Sequence, residues 1–213
     1  METVRAAYPL AKRVEDRGVA AVLLVLLSPL IALAGGAAAL GGLLSRRDRG
    51  PLLYRERRIS RGREFSLLKF RTLRRDVLER MAADEHARLY EADSANLTWA
   101  GRRVLKPWYL DELPQLVNVL RGEMSLVGPR PWPREMVDRQ LEAGLDYRNR
   151  VPAGWTGPAQ VQKGEVETDH YTELDLAYTE ACTSSPGLAL VRHDLAILWR
   201  TVRVMLRGEG LRF

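Results

Sequence analysis

The first fifth of the chain has a lopsided pattern. Lys12, Arg13 and Arg17 give way at Gly18 to a run through Ser45 without Asp, Glu, Lys, Arg or His, and Arg46, Arg47 and Arg49 follow it. As one straight helix that run would extend about 42 Å, longer than a bilayer core requires. Ser28 and Pro29 interrupt it. Proline lacks the N–H of a helix ladder and crowds the residue before it out of helical geometry, so a break is expected there. Cations flank both ends, and a helix that enters, breaks and returns keeps both clusters on one side of the membrane, as the positive-inside rule asks. Residues 1–50 therefore read as a re-entrant membrane element, with the Ser28 hydroxyl available to bond backbone freed at the break. A kinked ordinary span and a signal peptide ending in Ala32-Leu33-Ala34 are the competing readings. Gly35, Gly36, Gly41 and Gly42 are compatible with close helix packing.

Beyond Gly50-Pro51 the pattern shortens. Residues 52–58 and 65–72 flank Ser60-Arg61-Gly62-Arg63, which predicts a β-hairpin. A period of two sets Phe65, Leu67, Lys69 and Arg71 on one face, where the cations either discourage edge pairing or meet an anion. Residues 74–91, with Val77, Leu78, Met81, Ala82 and Leu89 at helical spacing, predict a surface helix. Leu110, Leu113, Leu116, Val117 and Leu120 predict another, with Asp111 at or beside its N-cap and Pro114 in its first turn. That places Asp111 and Glu112 at a positive helix end, which favours the ionised form; capping alone would also account for them. Residues 125–133 hold three prolines and a glycine, so Arg130 is either stiffly aimed at a diphosphate or part of a linker. Residues 151–160, behind Arg148 and Arg150, read as a substrate-facing loop. A final helix over about residues 188–206 sets Leu188, Val191, Leu195, Leu198, Trp199, Val202 and Leu206 opposite Arg192, Arg200 and Arg203, suiting either an anionic membrane surface or the domain core. The fold class is α+β, mostly helical with a small β-hairpin.

Composition narrows the chemistry. The 213 residues suffice for one domain, or one domain and a membrane element, and 46% hydrophobic content excludes a disordered chain. Lys and Arg number 33 against 27 Asp and Glu, a net charge of +6, and 29 of the cations are Arg, whose planar fork suits phosphate and carboxylate. The single cysteine, Cys182, excludes an internal disulfide and a cysteine metal cluster, and His86, His170 and His193 are too scattered for a zinc site. A metal here would be a hard cation on carboxylates.

The run Leu110-Asp111-Glu112-Leu113-Pro114-Gln115-Leu116, followed by Asn118-Val119-Leu120-Arg121-Gly122-Glu123-Met124-Ser125-Leu126-Val127-Gly128-Pro129-Arg130-Pro131, resembles the bacterial sugar transferase family, the monotopic phosphoglycosyl transferases. Lys12-Arg13 before the Ser28-Pro29 break, Lys69-Phe70-Arg71-Thr72 and Thr156-Gly157 match in the same order, so the resemblance covers nearly the whole chain. Its length resembles the minimal catalytic module, without the extra N-terminal membrane helices of larger members. The resemblance implies that residues 51–213 form a catalytic domain on the cytoplasmic face of a bacterial inner membrane, with interfacial amphipathic helices against the lipids. It implies transfer of a sugar-1-phosphate from a nucleotide diphosphate sugar, usually a UDP-sugar, to undecaprenyl phosphate with release of UMP, the first membrane step of glycoconjugate synthesis such as that of exopolysaccharide. In this reading Asp111 attacks the β-phosphorus to give a covalent aspartyl phosphosugar and Glu112 is its partner acid. Both carboxylates hold Mg2+, and Lys69, Arg71, Lys106, Gln115, Arg130 and Arg148 bind substrate.

The chain departs from the family pattern at several positions. Ser60 stands near a common glycine, Leu73 at a common methionine, Asn96 at a common arginine and Lys106 at an arginine, while Gly101 is one residue farther from Asp111 than usual. These changes bear on sugar preference and turnover rather than on reaction class. Without the resemblance a non-catalytic basic membrane adaptor would lead. A nucleic-acid binder has no use for the apolar run and is not expected. Which sugar is carried and whether the chain forms a homodimer are left open.

Overall fold

The apolar run folds as two helices, α1 (Leu10–Leu26) and α2 (Ser28–Leu44), bent by 62° at Leu27. Pro29 sits in the first turn of α2, where no amide hydrogen is required of it. The hydrogen-bond ladder continues through the bend: Leu27 N donates to Leu23 O and Ile31 N to Leu27 O, both at 2.8 Å, and Ser28 Oγ donates to Val25 O at 2.8 Å. The break and its hydroxyl repair thus fall where the sequence places them. Among the described residues no single helix is long and apolar enough to cross a membrane; the bent pair together has the length and composition of a broken span or a re-entrant loop.

The computed structural model describes residues 8–81, 87–162, 168–184 and 187–207. After α2 come β1 (Leu53–Ser60) and β2 (Arg63–Phe70), then α3 (Arg75–Arg80), α4 (Ala87–Glu91), α5 (Gln115–Arg121), β3 (Ser125–Val127), α6 (Arg134–Glu142), α7 (Tyr147–Arg150), β4 (Gly154–Thr156), α8 (Pro158–Val161), α9 (Thr168–Ser184) and α10 (Gly187–Arg207). The described chain is mostly helical with two small sheets. It gathers into two compact units: one holds the described residues up to Val22, Arg57–Ser66 and those from Leu116 onward, the other Leu23–Glu56 and Leu67–Gln115. The expected membrane element contributes to both.

In the second of these units, Ala34 of α2 packs with Phe70, Ala100 and Leu105, and Ile31, Ala37, Ala38 and Leu110 lie against them. The β1–β2 hairpin closes through Arg61-Gly62, whose φ angles of 53° and 70° are those of a type I′ turn, so the strands extend two residues closer to the turn than expected. Arg71 falls one residue beyond β2, its N donating to Leu52 O at 2.8 Å. The helix expected over residues 74–91 is not continuous, because the backbone turns extended at Met81 and ends α3; residues 82–86 lie outside the described residues.

A single π-helical turn, Gly101–Leu105, is closed by Lys106 N donating to Gly101 O at 3.0 Å. Such a turn holds one residue more than an α-helical turn. A Cβ on Gly101 would stand 2.5 Å from Thr72 O, so this approach requires glycine.

In the other unit, β3 and β4 pair in parallel with Ser125 opposite Gly154 and Val127 opposite Thr156. Both strands lie inside segments that the sequence reads as loops, a correction explained by their three-residue length and Gly/Pro-rich setting. A Cβ on Gly154 would meet Gly128 N at 2.1 Å, so glycine permits the two backbones to touch.

Lys12, expected as part of an exposed basic flank, is 0% exposed. It pairs with Asp16, and with Asp194 Oδ2 at 2.7 Å and Glu15 Oε2 at 3.4 Å. Asp16 also accepts from Tyr8 Oη (2.8 Å), Ser125 Oγ (3.0 Å) and Leu126 N (3.0 Å), and Tyr178 Oη donates to Asp194 Oδ1 (2.9 Å). The correction for α10 is similar. Leu190, Asp194 and Ile197 form its buried side, while Leu188, Leu195, Trp199 and Val202 are exposed beside the exposed Arg192, Arg200 and Arg203.

Candidate active site

Asp111 lies in a 3-10 turn, Leu110–Glu112, entered through Tyr109 at φ 53°. A non-glycine residue held in the left-handed region stores strain of about 1–3 kcal/mol, a recurrent property of functional sites. The expected N-cap position is corrected by this geometry: α5 starts at Gln115, so Asp111 does not cap it. Asp111 is 2% exposed. Burial, rather than a helix dipole, dominates its ionisation and pushes its pKa up from 3.8 to about 6. Lys106 opposes that rise, Glu112 adds to it, Lys69 opposes it and Glu91 adds to it.

Lys106 leaves the π turn and carries its ammonium between two acids, 2.5 Å from Glu91 Oε2 and 3.6 Å from Asp111 Oδ2. Burial would lower its pKa, but Asp111 and Glu91 outweigh that effect and raise it, so the group is cationic at neutral pH. Glu91, at the end of α4, accepts from Thr72 Oγ1 at 2.8 Å through its other oxygen. Lys69 Nζ stands 3.3 Å from Glu56 Oε2. Tyr54, Glu56, Lys69, Thr72, Leu78 and Glu91 line a small recess here. The structure thus places Asp111, Glu112, Lys69 and Lys106 in one electrostatic group and adds Glu56, Glu91 and Thr72. Glu56 was foreseeable as a hairpin neighbour of Lys69; Glu91 carries no sequence signal of its pairing with Lys106.

Other candidate residues have different surroundings. Three Arg71 donors are engaged: Nε donates to Pro51 O and Nη1 to Leu73 O, each at 2.8 Å, and Nη2 donates to Asp48 O. Arg148 is likewise committed. It is buried, donates to Arg130 O, to Gln140 Oε1 (2.9 Å) and to Asp175 Oδ2 (3.2 Å), and stacks 3.9 Å from the Trp132 ring centroid. These contacts fix the backbone of the Pro129–Pro133 loop, while the Arg130 side chain is exposed in the unit built from residues after Leu116. Gln115 is buried at the first residue of α5.

Among the described residues no group of three or more His, Cys, Asp or Glu forms a cage for a metal. Adjacent Asp111 and Glu112 instead fit the manner in which Mg2+ is held, by one or two carboxylates with the substrate's phosphates completing its shell.

The chain is 38% identical over 176 residues to the undecaprenyl-phosphate galactose phosphotransferase of Salmonella typhimurium, covering 77% of this chain and 35% of that protein. It is 30% identical over 209 residues to the UDP-N-acetylgalactosamine-undecaprenyl-phosphate N-acetylgalactosaminephosphotransferase of Aeromonas hydrophila, covering 96% of this chain and 46% of that one. It is 34% identical over 220 residues to the UDP-glucose:undecaprenyl-phosphate glucose-1-phosphate transferase of Caulobacter vibrioides, with 97% and 73% covered. The chain therefore spans about a third to a half of the length of the first two relatives. The family model for bacterial sugar transferase matches residues 7–208, and the chain belongs to that family.

Proposed function

We propose that this chain transfers a sugar-1-phosphate from a UDP-sugar to undecaprenyl phosphate and releases UMP. Family membership and the relatives' activities support the reaction class. The observation that carries the assignment of residues is the buried Asp111 carboxylate with Lys106 at 3.6 Å and Glu112 beside it.

In the first half-reaction an Asp111 oxygen attacks the β-phosphorus. The new O–P bond forms as the bond from that phosphorus to the α-phosphate bridging oxygen breaks, and UMP leaves with the electron pair. In the second, an oxygen of undecaprenyl phosphate attacks the phosphosugar phosphorus and the Asp111 carboxylate is released, leaving sugar diphosphate-linked lipid. Lys106 and Lys69 supply positive charge where anionic oxygens gather. Mg2+ held by Asp111 and Glu112 would neutralise donor phosphate charge when bound.

In the same reading the bent α1–α2 pair is a re-entrant element that keeps the catalytic residues at the cytoplasmic interface of the inner membrane. Its exposed apolar side chains and the apolar and basic outer face of α10 support that placement. The test is to incubate detergent-solubilised protein with Mg2+ and a panel of UDP-sugars. UMP release that Asp111→Asn abolishes is expected, and no release with any donor would leave a membrane adaptor as the better reading. Cysteines placed before Arg13 and after Arg46 should label from one side of the membrane; labelling from opposite sides would replace the re-entrant element with a span.

A further inference from the structure

Lys106 faces two carboxylates unequally. Its ammonium is 2.5 Å from Glu91 Oε2, within hydrogen-bond reach, and 3.6 Å from Asp111 Oδ2, beyond it. Glu91 is itself held from the other side, because Thr72 Oγ1 donates to Oε1 at 2.8 Å. Thr72 in turn is fixed where Thr98 N donates to Thr72 O at 2.8 Å and Gly101 packs on that carbonyl. The π turn sets the other end, since Lys106 N is bonded to Gly101 O.

An ammonium bonded directly to the attacking oxygen would occupy a lone pair and make the carboxylate a poorer nucleophile. At 3.6 Å the same charge still attracts an incoming phosphate and leaves that lone pair available. Resting on the reading of Asp111 as nucleophile, we propose that Glu91 is a positioning residue, anchored by Thr72, which draws Lys106 back from Asp111 and so keeps the carboxylate open to phosphorus. Once the carboxylate oxygen is bonded to phosphorus as an acyl phosphate, Glu91 still holds the ammonium in place for the second half-reaction.

The test measures the pre-steady-state burst of UMP from the full chain in detergent with Mg2+, no lipid acceptor and the UDP-sugar that the wild type cleaves fastest. Glu91→Gln keeps the shape and removes the charge. Its burst rate should fall about tenfold, the equivalent of one charge-assisted hydrogen bond, with the donor concentration for half-maximal rate changed less than about twofold. Lys106→Met lowers the rate by itself, and in that background Glu91→Gln should have less than about a twofold further effect, since its action runs through the lysine. Thr72→Val should give a smaller fall, about two- to threefold, that also disappears with Lys106→Met. Should Glu91→Gln fail to give a folded protein by thermal unfolding, Thr72→Val carries the same comparison. An unchanged burst in Glu91→Gln, a loss confined to donor half-saturation, or an equal loss in both backgrounds would overturn the role of Glu91 alone. Absence of a wild-type burst with every donor would overturn both this role and Asp111 as nucleophile.

Discussion

Two lysines in this chain sit among carboxylates, to different ends. Lys12 is fully enclosed by Glu15, Asp16 and Asp194, and Asp16 also receives a tyrosine hydroxyl, a serine hydroxyl and a backbone amide. Lys106 retains some exposure, bonds Glu91 closely and stands off from Asp111. The Lys12 network is buried, with Asp16 bonded through both oxygens although neither Glu15 oxygen has a hydrogen bond, and breaking it leaves an uncompensated charge. Burial raises Glu15 and Asp194 in that network just as it raises Asp111, so what sets Lys106 apart is its partial exposure and the recess beside Glu91. Residue types alone do not distinguish the two; the exposure of the ammonium does.

The largest effect should come from the open cluster. Asp111→Asn should lower UMP release by at least about 10³-fold while the protein remains folded, as measured by UMP formation and thermal unfolding. The closed cluster should respond in the opposite sense. Lys12→Met should destabilise by about 3–5 kcal/mol in denaturant titration, with near-normal turnover per folded molecule. Full stability after that change would remove the contrast.

A third expectation uses pH. The folded-state pKa of Asp111 is raised to about 6 from 3.8, mainly by burial. Its protonated form therefore contributes stability that is fully present below about pH 4 and lost as pH rises through about 6. Asp111→Asn lacks this loss, so its stability relative to the wild type should improve by about 1–3 kcal/mol from pH 4 to pH 7.5. In the same range the wild-type burst rate should rise with an apparent pKa near 6, since the attacking form is the anion. A flat stability difference would show that burial does not control this acid. The smallest effect is at the helix break: Ser28→Ala removes one hydroxyl bond to Val25 O and should cost about 0.5–1.5 kcal/mol without changing which side of the membrane the flanks label from.

Much of the architecture is readable where a local rule is strong. Pro29 dictates the break, and Arg61-Gly62 dictates the hairpin turn. The reading weakens where the deciding partner is distant in sequence. Nothing near Arg71 or Arg148 in sequence reveals that their guanidinium groups bond to backbone carbonyls and to Gln140 and Asp175. Leucine spacing located the helix after Asp111 but started it too early, because a 3-10 turn and α5 share a continuous apolar pattern. Glu91, fifteen residues from Lys106, left no periodic trace. The π turn at Gly101–Leu105 likewise has no periodic signal in the sequence.

Leu110 packs against the cluster of Ala34, Phe70, Ala100 and Leu105, to which α2 contributes Ala34 and, around it, Ile31, Ala37 and Ala38. Excising the apolar hairpin to obtain a freely soluble fragment would therefore remove α2's share of the packing behind the turn that carries Asp111. Screening of inhibitors against this chain has to be done with the hairpin retained, in detergent micelles or nanodiscs.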